Sequence, residues 1–269
     1  METLGKLLEQ YKKIDYTLSI EEERALIYNY IYSTNKLEGN QLSLVQTTQL
    51  LSSDTLSGNG IRTTDILEQK GMHKALLRML KAVREKEVLS IGLILEINWL
   101  VLGYLWKYDD AYLDAKSKGQ KVGDFKISAN KIEIRKAGEV IEVINPLSSP
   151  QSVEDDMKKL INTINASSKS SLEKAVFIAQ EIWLHQPFVD GNKRTGRLLI
   201  NFLLMQDGYP LFSFDTENNN YNSLLVTQYI EHKEKLVLDY IINKLKTQIT
   251  LYLQTKKNIK KGTGFRMML

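Results

Sequence analysis

Apolar residues recur three and four apart through most of this 269-residue chain, the spacing of helices that bury one face. Residues 19–40, SIEEERALIYNYIYSTNKLEGN, open on Ser19 with Glu21–Glu23 in the first turn. They then place Leu26, Ile27, Tyr30 and Ile31 at helical intervals and reach Gly39. Acidic residues early and a glycine late are start and stop marks. The same spacing predicts a helix over 65–87, with Ile66, Leu67, Ala75, Leu76, Met79, Leu80 and Val83 inward. Further helices are expected over 89–106, over 152–167 from Ser152 with Glu154 and Asp155 in its first turn, and over 172–185. The next, 193–206, is nearly all apolar after Arg197, so it reads as a central buried helix ended by DGYP. A last pair covers about 217–230 and 233–254. Residues 51–64, LSSDTLSGNGIRTT, read as a polar loop.

One stretch follows a different period. In FKISANKIEIRKAGEVIEVINP (125–146), Ile132 and Ile134, then Val140 and Val143, alternate with polar residues on either side of KAGE. That predicts a β-hairpin with a glycine turn. A lone hairpin is too weak to stand alone, so it must lean on the helices.

Composition narrows the chemistry. The chain is 43% hydrophobic and 25% charged with 15 Gly and 4 Pro, as in an ordinary folded domain. It has no cysteine, which excludes disulfides, Cys-ligated zinc and thiol catalysis and fits a reducing cytoplasm. METLGKLLEQYKK lacks the charged-then-apolar pattern of a leader. The best apolar run, 89–106, carries Glu96 and Asn98 and reads as a buried helix, so neither leader nor membrane span is expected. Net charge is +4, with Lys256, Lys257, Lys260, Lys261 and Arg266 near the end. That tail reads as a solvated end rather than a nucleic-acid contact. His73, His185 and His232 are far apart, so a metal would have to sit on carboxylates and substrate phosphates.

The densest chemistry lies in PFVDGNKRTGR (187–197). Pro187 stops the preceding helix. Gly191 and Asn192 are the residue types that most readily take left-handed angles. Such a turn entering a helix points backbone N–H groups into one concavity. Arg194 and Arg197, three apart, share the face beside it. Cations at a helix N-terminus oppose the dipole, so two arginines and Lys193 there imply an arriving anion. Asp190 supplies an oxygen suited to Mg2+ bridging phosphates.

This run resembles the signature loop of the Fic (filamentation induced by cAMP) domain family, His-Pro-Phe-x-(Asp/Glu)-Gly-Asn-(Gly/Lys)-Arg-x-x-Arg. The hairpin, the buried helix with its GYP end, the tyrosine of NNNYNSLL and the leading helices follow family order over roughly 20–245. The resemblance implies a mainly α fold: a Fic helical core with a β-hairpin flap, preceded by N-terminal helices that include an inhibitory one. Its divisions would be an N-terminal helical region (1–88), the core (89–245, flap about 123–145, signature loop 185–197) and a C-terminal helix end and basic tail (246–269). The implied activity is transfer of AMP from ATP to a protein hydroxyl. Asp190 would hold Mg2+. Gly191, Asn192 and Lys193 would cradle the phosphates, Arg194 and Arg197 would neutralise them, and Phe188 and Tyr221 complete the nucleotide set. Lys193 stands where many adenylylating members have glycine. The protein substrate would dock on the hairpin around 123–135 by strand addition. Family members often dimerise, so a homodimer is a further expectation.

TNKLEGN (34–40) resembles the family's inhibitory motif, (Ser/Thr)-x-x-x-Glu-(Gly/Asn), with Thr34, Glu38 and Gly39 at its fixed positions. A carboxylate at a helix C-terminus is disfavoured by the dipole, so Glu38 needs solvent or a cation. The resemblance implies Arg197 as its partner and obstruction of the γ-phosphate.

In the family a histidine directly precedes Pro-Phe and acts as general base. Here Gln186 stands there and His185 comes one residue earlier. A glutamine amide has no usable basicity. Consecutive helical residues point about 100° apart, so His185 is not a simple replacement. Two readings stay open. Either Gln186 is an insertion and His185 reaches the site of a working transferase, or Gln186 fills the base position of a nucleotide-binding regulatory protein with impaired turnover.

Overall fold

The computed structural model describes residues 3–13, 18–136, 139–217 and 220–260. It is mainly helical with one antiparallel hairpin. The first two helices are α1 (Leu4–Lys13) and α2 (Ile20–Lys36), followed by α3 (Leu44–Ser53), α4 (Thr63–Arg84) and α5 (Ile91–Tyr108). A 3-10 turn (Asp110–Tyr112) leads into the short α6 (Leu113–Ser117). After strands β1 (Ile132–Lys136) and β2 (Glu139–Ile144) come α7 (Val153–Ala166), α8 (Ser171–His185), α9 (Asn192–Gln206), α10 (Tyr221–Ile230) and α11 (Leu236–Lys260).

Helix α9 is the axis of the molecule. Leu198, Leu199, Ile200, Phe202 and Leu204 are fully buried, as the apolar run after Arg197 predicts. It packs against α8, α4, α5 and α2. Contact with α8 is close because Gly196 faces Ala179, where a Cβ would come within 3.3 Å of the Ala179 Cα. Gly71 does the same for α4 and α5, since its Cβ would stand 2.5 Å from the Val101 carbonyl.

Several expectations need correction. The polar stretch 51–64 is shorter than read, because α3 continues to Ser53 and α4 starts at Thr63. Helix α3 begins in a capping box in which Ser43 and Gln46 satisfy each other's backbone N–H. Ser152 makes no cap with its side chain; its Oγ accepts the Ser149 N–H at 3.1 Å. The hairpin is confined to 132–144, with residues 125–131 outside it. Only β1 leans inward: Ile132 and Ile134 are buried, while Val140, Ile141 and Val143 of β2 are about half exposed. The Ala137–Gly138 turn and the tail 261–269 lie outside the described residues. Among the described residues no helix is long and apolar enough to cross a membrane.

Candidate functional site

The signature loop joins α8 to α9, and each of its ends is set by backbone chemistry. Helix α8 stops at Gln186, whose φ of +45° and ψ of 58° are left-handed. A residue before proline is pushed out of right-handed helical angles, and a left-handed residue is a common way to end a helix. Helix α9 begins after Gly191, at φ +77°. Here glycine is required twice over: by that angle, and because a Cβ would sit 2.9 Å from Asn98 Nδ2. Asn192 is not left-handed as expected; it is the first residue of α9. Its side chain instead closes the loop. Oδ1 accepts the Phe188 N–H (3.0 Å), and Nδ2 donates to the Phe188 carbonyl (3.0 Å) and to Gln186 Oε1 (2.9 Å).

No side chain caps the first turn of α9, so its backbone donors remain available to an anion. The two arginines divide. Arg194 is buried and reaches Asp190 Oδ2 at 3.3 Å and Glu68 Oε1 at 3.4 Å. Arg197, fully buried, turns toward α2. Its Nε donates to Thr34 Oγ1 (2.7 Å), its NH2 to the Thr34 carbonyl (2.9 Å), and its NH1 to Asn222 Oδ1 (3.1 Å).

Glu38 lies in the turn after α2, before Gly39 at φ +92°. Its two oxygens are taken by different cations: Oε1 by Arg197 NH2 and Oε2 by Lys193 Nζ, each at 2.8 Å. Burial alone would raise this carboxyl's pKa. The Arg197, Lys193 and Arg194 charges reverse that and hold it at about 2. Glu38, Lys193, Asp190, Gly191 and Arg194 line one cleft with Gln186, whose other wall is β1. Phe188 and Tyr221 are buried behind it, and Phe188 stacks on Phe125 at 6.0 Å.

His185 is elsewhere. Its Nδ1 lies 2.5 Å from Ser148 Oγ, which itself donates to Asp156 Oδ2, and its Nε2 lies 3.3 Å from Glu181 Oε2. The left-handed step at Gln186 sends the glutamine amide, not the imidazole, to the cleft wall. Its Nε2 is tied back to the Trp183 carbonyl at 2.7 Å.

Sequence reasoning missed the residues that buttress this loop. Asn98 of α5 donates to the Asp190 carbonyl (3.0 Å) and Thr195 Oγ1 (3.3 Å). A buried amide in an apolar helix demands a partner, which was the available signal. Asn130 donates to the Phe188 carbonyl at 3.1 Å. Lys126 is buried, its Nζ donates to the His185 carbonyl at 3.1 Å, and burial pushes its pKa down to about 8.

Comparisons with known proteins bear on the family and the fold. Residues 93–204 match the family model described as the Fic/DOC family. Those residues form a Fic/DOC-family domain. The chain is similar to protein adenylyltransferase fic-1 of Caenorhabditis elegans, at 28% identity over 235 residues, covering 84% of this chain and 42% of that protein. It is also similar to protein adenylyltransferase Fic of Drosophila ananassae, at 27% identity over 183 residues, covering 68% and 33%. The chain therefore spans less than half the length of these relatives. Among solved structures, it is similar over 98% of its length to the whole chain of a Fic domain-containing signalling protein from Bacteroides thetaiotaomicron, with a TM-score of 0.78 and 25% identity. Residues 134–508 of C. elegans Fic-1 share the fold, with a TM-score of 0.70 at 22% identity over 93% of this chain and 69% of that one.

Proposed function

We propose that this chain is an autoinhibited Fic-type protein adenylyltransferase that takes ATP into the cleft and transfers AMP to a protein hydroxyl. The observation that carries this reading is Glu38. A protein carboxylate clamped by two cations beside the uncapped N-terminus of α9 marks an anion site held by the protein's own charge. The relatives named as adenylyltransferases supply the reaction class.

Asp190 fits a Mg2+ ion. Its side chain is 45% exposed and accepts three donors, from Gly191, Tyr112 and Arg194. A carboxylate has about four acceptor positions, so one is left for a cation. Mg2+ asks for only one or two carboxylates besides phosphates and water; among the described residues no cluster of three or more His, Cys, Asp or Glu is present. When bound, the ion would neutralise phosphate charge. Lys193, Arg194 and, once free of Glu38, Arg197 would hold the phosphates. The docked hydroxyl oxygen would attack the α-phosphorus while the bond to the bridging oxygen breaks and pyrophosphate leaves. The β-hairpin, with two strand edges and exposed Val140, Ile141 and Val143 on β2, suits docking of an extended target segment.

The hydroxyl's proton needs an acceptor, and a positioned base contributes about 10²–10⁴-fold. The cleft wall offers Gln186, whose amide is no base. That placement favours a second reading, in which the chain binds nucleotide in a regulatory capacity and transfers slowly. Both readings share the nucleotide site. Calorimetric titration with ATP and Mg2+ tests it: Glu38→Gly should bind about tenfold tighter than the native chain, or ~1.4 kcal/mol. Equal affinity contradicts the brake, and no binding by either contradicts the site.

A further inference from the structure

Tyr112 belongs to none of the motifs, yet it makes a short hydrogen bond to the loop. It ends the 3-10 turn after α5, 78 residues before Asp190, and its phenol donates to Asp190 Oδ2 at 2.6 Å. Its ring packs on Trp106, centroid to centroid 5.2 Å. The other carboxylate oxygen, Oδ1, accepts the Gly191 N–H at 2.6 Å. Arg194 reaches Oδ2 at the longer distance of 3.3 Å, and it is shared with Glu68.

We propose that Tyr112 is a positioning residue that fixes the Asp190 carboxylate to receive the divalent cation accompanying a nucleoside triphosphate. This rests on the reading of Asp190 as the cation-holding group. Held by one backbone N–H and the longer, shared Arg194 contact alone, an exposed aspartate can turn about its last torsion. With a phenol on the second oxygen, both oxygens are fixed and the remaining acceptor position faces one way. Partners that orient a metal-holding group typically affect metal affinity by about 10–100-fold.

The test measures ATP affinity calorimetrically in the Glu38→Gly protein, once with Mg2+ and once with EDTA, and takes the ratio. Tyr112→Phe should lower that ratio about tenfold while leaving the affinity in EDTA unchanged. In an Asp190→Asn background Tyr112→Phe should change nothing further. A Tyr112→Phe protein with an unchanged ratio, or one that loses affinity equally in both solutions, overturns the positioning role. A ratio of one in the Glu38→Gly parent overturns the reading of Asp190 itself, a failure distinct from the other two.

Discussion

The two ends of the signature loop contrast sharply. At the α9 end, charge is over-determined: Glu38 is gripped through both oxygens, Arg197 makes contacts to Thr34, Asn222 and Glu38, and Arg194 is shared by two carboxylates. At the α8 end the family's base position holds an amide, and the nearest histidine is committed to Ser148 and Glu181. A pocket built to bind anions and one built to move a proton are therefore separable properties of one loop.

The largest expected effect comes from breaking the charged end. Arg197→Met would remove one of the two cations that hold the partly buried Glu38 and leave the buried Thr34 carbonyl without its donor. Removing one partner of a buried ion pair typically costs about 3–5 kcal/mol, read as a fall in unfolding free energy by chemical denaturation. A loss under about 1 kcal/mol would mean that the latch behaves as a surface pair.

Asn192→Ala sharpens the comparison at the joint, because Asn192 hydrogen-bonds to both Gln186 and Phe188. Leaving buried partners unsatisfied costs about 1–3 kcal/mol. Denaturant unfolding should register a loss in that range, and an unchanged midpoint would place the loop's rigidity elsewhere.

The smallest effect is a null with a sign attached. Glu38 has its pKa lowered from 4.5 to about 2, so its contribution is fully present above about pH 4.5 and disappears only as pH falls through about 2. The ratio of ATP affinities between native and Glu38→Gly proteins should be the same at pH 8 and pH 5. Narrowing of that ratio at pH 5 would show an acid-released latch.

Which parts were legible follows from where their signals lie. PFVDGNKRTGR is a contiguous run whose geometry depends on local backbone, so Gly191 and Arg194 could be placed from spacing, whereas Arg197 turns to α2 instead of sharing the face of Arg194. The Glu38–Arg197 pair spans 159 positions and could be expected only through two motifs of one family. The long amphipathic helices were readable; α3 was not, since LVQTTQLLSS is only 10 residues long with a polar middle, and its start relies on the Ser43–Gln46 capping box. Helix α1 passed unnoticed because its Leu4, Leu7 and Leu8 become core only in the company of α11. Tyr112 and Asn130 act on the loop from 78 and 58 positions away with no local mark, whereas Asn98, 92 positions away, is marked by the apolar helix around it. The direction of His185 depended on one torsion, the positive φ of Gln186, which no pattern of residue types discloses.

The central claim is that this loop holds ATP for AMP transfer while the Gln186 amide at the cleft wall keeps that transfer slow. Transfer of labelled AMP from ATP with Mg2+ should be slow in Glu38→Gly, unchanged on adding His185→Ala, and about 100-fold faster on adding Gln186→His. Loss of labelling with His185→Ala, or no gain with Gln186→His, would contradict it.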